Sequence, residues 1–166
     1  RQRMQKIKQY IGNPSALKMP LLDPDRGLTR ALPYYRWLFT WVGALLWLGV
    51  VGAGAALGAM HWQTLTHNIW DQVFSSGNVL AMALVYPVVK AIHELGHACA
   101  VKARGGEVHE IGLMFLLLVP IPYVDASAAS AFADKRWRML VGGAGILVEL
   151  FLAAVAMIAW TQLDPG

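Results

Sequence analysis

Three apolar runs, each long enough to cross a bilayer, constrain this chain more than any other feature. A helix rises about 1.5 Å per residue, so roughly 20 apolar residues span the hydrocarbon core. Residues 37–60, 78–101 and 140–160 each meet that length. With 57% of the residues hydrophobic and only 14% charged, the chain lacks the balance of a soluble domain. The expected class is an all-α membrane protein with three transmembrane helices. No secretory signal precedes the first run and the first residue is Arg1, so the chain reads as an internal portion of a longer polypeptide.

Residues 111–124 are apolar throughout but too short to cross, and Pro120 and Pro122 interrupt them. They are expected to form a re-entrant or interfacial segment. Loop charges agree. Arg1, Arg3, Lys6, Lys8, Lys18, Arg26, Arg30 and Arg36 precede the first span, Lys102 and Arg104 follow the second, and Lys135, Arg136 and Arg138 precede the third. Residues 61–77 and 161–166 carry no Lys or Arg. The basic flanks are therefore cytoplasmic, residues 1–36 form a cytoplasmic lead-in, 37–160 the membrane core, and 161–166 begin a non-cytoplasmic tail.

The net charge of +4 is a topology signal of this kind and not a nucleic-acid surface. In the outer loop, Trp62, Leu65, Ile69, Val73 and Phe74 recur at helical spacing, as in an amphipathic helix lying on the membrane or covering the bundle. Cys99 is the single cysteine, which excludes an internal disulfide, and its angle around the helix turns it away from His97.

The second run contains His93-Glu94-Leu95-Gly96-His97. Residues four apart on a helix share a face, so both imidazoles can reach one Zn²⁺, and Glu94 beside them is placed to act as a general base. Two histidines and a carboxylate are costly inside a lipid-spanning helix unless they are used. From the middle of the motif to Lys102 is about seven residues, which sets the site roughly 10 Å inside the cytoplasmic face. Lys90 and Glu149 lie near the centres of consecutive antiparallel spans. Their matching depth suggests an ion pair, since either charge alone at the midplane would be unfavourable. His61 and His67 read as interfacial polar residues, and His109 as a surface residue next to a short edge strand.

A motif of this kind in a membrane span resembles the site-2 protease family of intramembrane zinc metalloproteases. The stretch from His93 through Gly105, Gly106, Glu107, Val108, His109 and Glu110 to Pro122-Tyr123-Val124-Asp125-Ala126-Ser127 is similar to bacterial peptide zinc metalloproteases, over about residues 78–160. The resemblance implies a bacterial inner-membrane location with a cytoplasmic N-terminus. It also implies a third zinc ligand from a Pro-x-Pro-x-Leu-Asp-Gly-like segment, which Pro120-Ile121-Pro122-Tyr123-Val124-Asp125 matches in large part, with Ala126 in place of Gly. Asp125 is then the candidate ligand; the alternatives are Glu149 and a residue beyond 166. Asp125 reads equally as the cap of the turn leading to Ser127 and Ser130. The family's Gly-Pro-x-x-Asn stretch is Gly145-Ile146-Leu147-Val148-Glu149 in this chain.

The leading expectation is a zinc endopeptidase cleaving a membrane-embedded or membrane-adjacent peptide, with His93, His97 and a carboxylate on the metal and Glu94 as base. The alternative is a metal-binding scaffold without turnover, or a component of an export or assembly complex. Metal transport is disfavoured, because one motif supplies no relay of sites.

Overall fold

The computed structural model describes residues 16–67, 69–116 and 119–163. Arg1, Arg3, Lys6, Lys8 and residues 164–166 of the tail lie outside them. In chain order the elements are strand β1 (Ala16–Leu22), helix α1 (Asp25–Tyr35), a 3-10 turn (Arg36–Phe39), helix α2 (Trp41–Met60), short helices α3 (Trp62–Thr66) and α4 (Ile69–Phe74), helix α5 (Ser76–Ala103), strands β2 (Ile111–Leu116) and β3 (Val119–Val124), a second 3-10 turn (Ser127–Ala131) and helix α6 (Lys135–Leu163).

Helices α2, α5 and α6 are long and apolar enough to cross a membrane. They correspond to the three expected runs, with α5 and α6 extended at both ends. Their outward faces carry large apolar side chains such as Leu45, Leu48, Leu80, Leu84 and Val88, all exposed. Small residues face inward. A Cβ on Gly54 would stand 2.6 Å from the Ala154 Cβ, so α2 and α6 touch at a point where only glycine fits. The indole of Trp47 adds a cross-helix tie, donating to the Leu147 carbonyl at 2.8 Å. Gly96 does for α5 what Gly54 does for α2, since a Cβ there would meet the Val148 side chain at 2.9 Å and the Ala144 carbonyl oxygen at 3.3 Å on α6.

The all-α expectation is corrected by a three-stranded antiparallel sheet of order β1-β2-β3. Residues 111–124, expected as a re-entrant segment, form its β2–β3 hairpin, in which Leu113 pairs with Pro122 and Phe115 with Pro120; residues 117–118 lie outside the described residues. Pro120, Pro122 and Val124 share one side of β3, and Asp125, of the other parity, donates its N–H to the Glu110 carbonyl at 2.9 Å. The prolines thus point their missing donors away from β2, on the free edge, where no ladder bond is lost.

The third strand comes from the stretch read as a lead-in: Lys18 pairs with Met114 and Met19 with Leu113. Helix α1 is fastened to the same region. Both carboxylate oxygens of Asp25 accept from Lys102 Nζ, at 2.7 and 2.8 Å, and one also accepts from the Val108 N–H at 3.0 Å. At the end of α5, Gly105 takes φ +82°, a left-handed conformation that suits glycine. Gly105 N–H bonds the Lys102 carbonyl and Gly106 N–H the Val101 carbonyl, the two bonds of a Schellman stop. The chain is thereby turned from α5 into the sheet.

The outer loop holds two short helices, α3 and α4, in place of one amphipathic helix. Trp62, Trp70 and Phe74 remain exposed there, with the rings of Trp70 and Phe74 stacked at 5.9 Å. The buried core is small and lies at the α5–α6 crossing and beneath the sheet: Leu28, Ala98, Ala100, Val101, Val108, Val141 and Ala144. Cys99 packs against it.

Candidate metal centre

Helix α5 presents Lys90, His93 and His97 at spacings of three and four, which is one helical face. Helix α6 meets that face with Val141, Gly145 and Glu149, each four residues from the next. The two stripes pair position by position. Nδ1 of His97 stands 2.6 Å from the Val141 carbonyl oxygen, so it carries the proton and donates, leaving Nε2 as the free lone pair. The ring of His93 lies against Gly145, occupying the space that a Cβ on residue 145 would need. Nδ1 of His93 is buried without an aligned hydrogen bond from the described residues, and Glu149 Oε1 stands 2.9 Å from it. The same oxygen is 2.7 Å from Lys90 Nζ.

These anchors leave the Nε2 atoms of His93 and His97 facing each other at 3.2 Å. Two nitrogens bound to one tetrahedral zinc at about 2.0–2.1 Å each would stand about 3.3 Å apart. Two imidazoles with their Nδ1 atoms turned outward offer Nε2 donors of a kind suited to a borderline-soft divalent ion. The spacing of the pair fits two positions of a metal site. Among the described residues no group of three His, Cys, Asp or Glu side chains converges as a metal cage.

Glu94 projects beside His97 into an open cleft of about 450 Å³ bounded also by Val124, Ala126, Ser130, Arg138 and Val141. Its Oε2 accepts from the Val124 N–H at 3.2 Å, which ties it to the free edge of β3. Asp125 follows directly in the chain, but its Oδ1 accepts from the Ser127 N–H at 3.0 Å. That bond holds the Asp125 carboxyl below its ordinary range. The structure thus brings His93, His97 and Glu94 together, places Lys90 and Glu149 behind His93, and turns Asp125 toward the Ser127 turn.

His109, outside the cleft, sits between Glu107 (3.0 Å) and Asp23 (3.1 Å), and both carboxylates push its pKa up. Sequence reasoning missed Gly145 and Val141 as site residues. The spacing 141, 145, 149, one helical face with a glycine in its middle, was the available signal. The Val124 bond has no such signal, because it is made by backbone. Comparison of the chain with protein-family models, curated proteins and solved structures gives no match.

Proposed function

We propose that this chain is a zinc endopeptidase of the membrane, of the site-2 protease kind, acting on a peptide bond in or next to the bilayer. The observation that carries the reading is the 3.2 Å separation of the His93 and His97 Nε2 atoms, with Glu94 on the adjoining cleft wall. A zinc ion held there would supply Lewis acidity, polarising a carbonyl and acidifying water. Glu94 takes the proton of the attacking water and returns it to the leaving amine. Its Val124 contact occupies Oε2 and fixes the carboxylate's direction, leaving Oε1 for that exchange.

The substrate must be extended, because a helix buries its backbone groups in its own hydrogen bonds. The free edge of β3 runs beside Glu94, where such a peptide would pass. Pro120 and Pro122 have no N–H, so that edge offers carbonyl acceptors and, at Val124, a single N–H already bound to Glu94. The cytoplasmic side of the inner membrane of a bacterium is the proposed setting, with the chain's basic flanks facing the cytoplasm.

A second reading, a metal-bound module that holds peptide without turnover, is favoured by one observation: the described residues bring only two metal-ligating side chains together. One experiment separates the two. The detergent-solubilised chain and its Glu94→Gln variant are assayed for bound zinc and for cleavage of a transmembrane reporter peptide. The expected result is one zinc in both, with cleavage in the variant reduced by a factor on the order of 10²–10⁴. Zinc binding without any cleavage by the native chain establishes the second reading, and undiminished cleavage by Glu94→Gln removes Glu94 from the mechanism.

A further inference from the structure

We propose that Glu149 is a positioning residue for the metal site, orienting the His93 ring through Nδ1, with Lys90 as its counter-charge. The inference rests on the metal reading of His93 and His97 and adds to it the group that sets the ring.

Three observations converge. Glu149 Oε1 lies 2.9 Å from His93 Nδ1, the nitrogen that does not face His97. That nitrogen is buried and makes no aligned hydrogen bond among the described residues, so Glu149 stands at ion-pair distance from it without hydrogen-bond alignment. An acceptor carboxylate at that position favours the tautomer with hydrogen on Nδ1, and the lone pair is then on Nε2, facing His97. The second ligand also has its Nδ1 against an acceptor of α6, there in an aligned hydrogen bond to the Val141 carbonyl. Both imidazoles are therefore oriented by acceptors from one face of α6, eight residues apart.

Lys90 explains how a carboxylate can stand there. A lone carboxylate near the middle of an apolar span would be strongly unfavourable, and Lys90 Nζ at 2.7 Å compensates its charge. The lysine is one turn before His93 on α5, so the same helix that carries the ligands carries the counter-ion. A purely structural ion pair has no reason to include the Nδ1 of a metal ligand, whereas an orienting carboxylate needs both contacts.

The test separates charge compensation from orientation. Zn²⁺ affinity is measured by competition with a chelating dye, Co²⁺ spectra report the ligand field, and thermal unfolding in detergent reports stability. Glu149→Leu alone strands Lys90 and can fail to fold, so the informative variants are two doubles without buried charge. Lys90→Met with Glu149→Leu removes the acceptor; Lys90→Met with Glu149→Gln keeps a neutral one. The expected result is near-native stability in both doubles, Zn²⁺ affinity within about threefold of native for the Gln double, and affinity 10–100-fold weaker with an altered Co²⁺ spectrum for the Leu double. Native affinity in the Leu double, or equal loss in both, overturns the orienting role. Absence of Zn²⁺ binding by the native chain is a different failure, since it overturns the metal reading itself and the inference with it.

Discussion

The imidazole of His93 occupies the place where residue 145 would carry a side chain, so Gly145 is as much a part of the histidine pair as the residues that bear the nitrogens. A methyl group there must either push the ring off its line with His97 or separate α5 from α6. Gly145→Ala is therefore expected to weaken Zn²⁺ binding by about tenfold or more, since packed helices give little. Gly142→Ala, one turn earlier at a position with open space, serves as the control and is expected to bind as the native chain does. Chelator competition on the two variants makes the comparison.

Val124→Pro isolates the link between sheet and base. Pro120 and Pro122 already occupy the same side of β3, so a third proline at that parity keeps the ladder bonds while it deletes the N–H that Glu94 accepts and exchanges one apolar side chain of the cleft wall for another. The expected effect is a fall in kcat/KM on the order of tenfold, the equivalent of one hydrogen bond to a charged group, with Zn²⁺ affinity unchanged. A parallel loss of Zn²⁺ would show that the strand itself had been displaced.

Asp125 gives a prediction about the third ligand. Its carboxylate is held by the Ser127 N–H. Asparagine keeps an acceptor in that place, so Asp125→Asn is expected to retain Zn²⁺ and fold normally. Asp125→Ala removes the turn bond at an exposed site and is expected to cost under about 1 kcal/mol. Loss of Zn²⁺ in the Asn variant would make Asp125 a ligand that leaves Ser127 when the metal binds.

The clasp between Asp25 and Lys102 sets a pH dependence. The Lys102 ammonium beside Asp25, aided by the Val108 N–H, holds its carboxyl below the usual carboxylate range. A carboxyl depressed in the folded state stabilises the fold fully above its unfolded value, near 3.9, and that contribution is lost as pH falls through the lower folded value. Asp25→Asn is expected to destabilise the chain by about 1–3 kcal/mol at neutral pH. The gap to native should close as the pH drops below about 4. Thermal unfolding in a detergent series from pH 7 to pH 3 reads it directly.

What the sequence determined by itself is what depends on local periodicity and on the cost of polar groups among apolar ones. Helical runs of about 20 residues gave α2, α5 and α6, and the four-residue spacing of His93 and His97 put both rings on one face. Matched depth along antiparallel spans points to a pairing of Lys90 with Glu149, and the structure places their charged atoms 2.7 Å apart. Residues 111–124 were legible as too short and too proline-broken to span, yet not as a hairpin. An apolar run of that length has no period that distinguishes strand from buried helix, and its pairing with Ala16–Leu22 joins residues about a hundred positions apart. The tertiary structure alone decided three things: that Glu94 is held by a backbone N–H, that Asp125 turns to Ser127, and that Glu149 stands behind His93. The first follows from how closely the sheet approaches α5 and the third from how closely α6 does, whereas the Asp125 bond is local, spanning two residues. The approach of α6 is set by the absence of side chains at Gly96 and Gly145, which becomes informative only when the neighbour that fills the space is known.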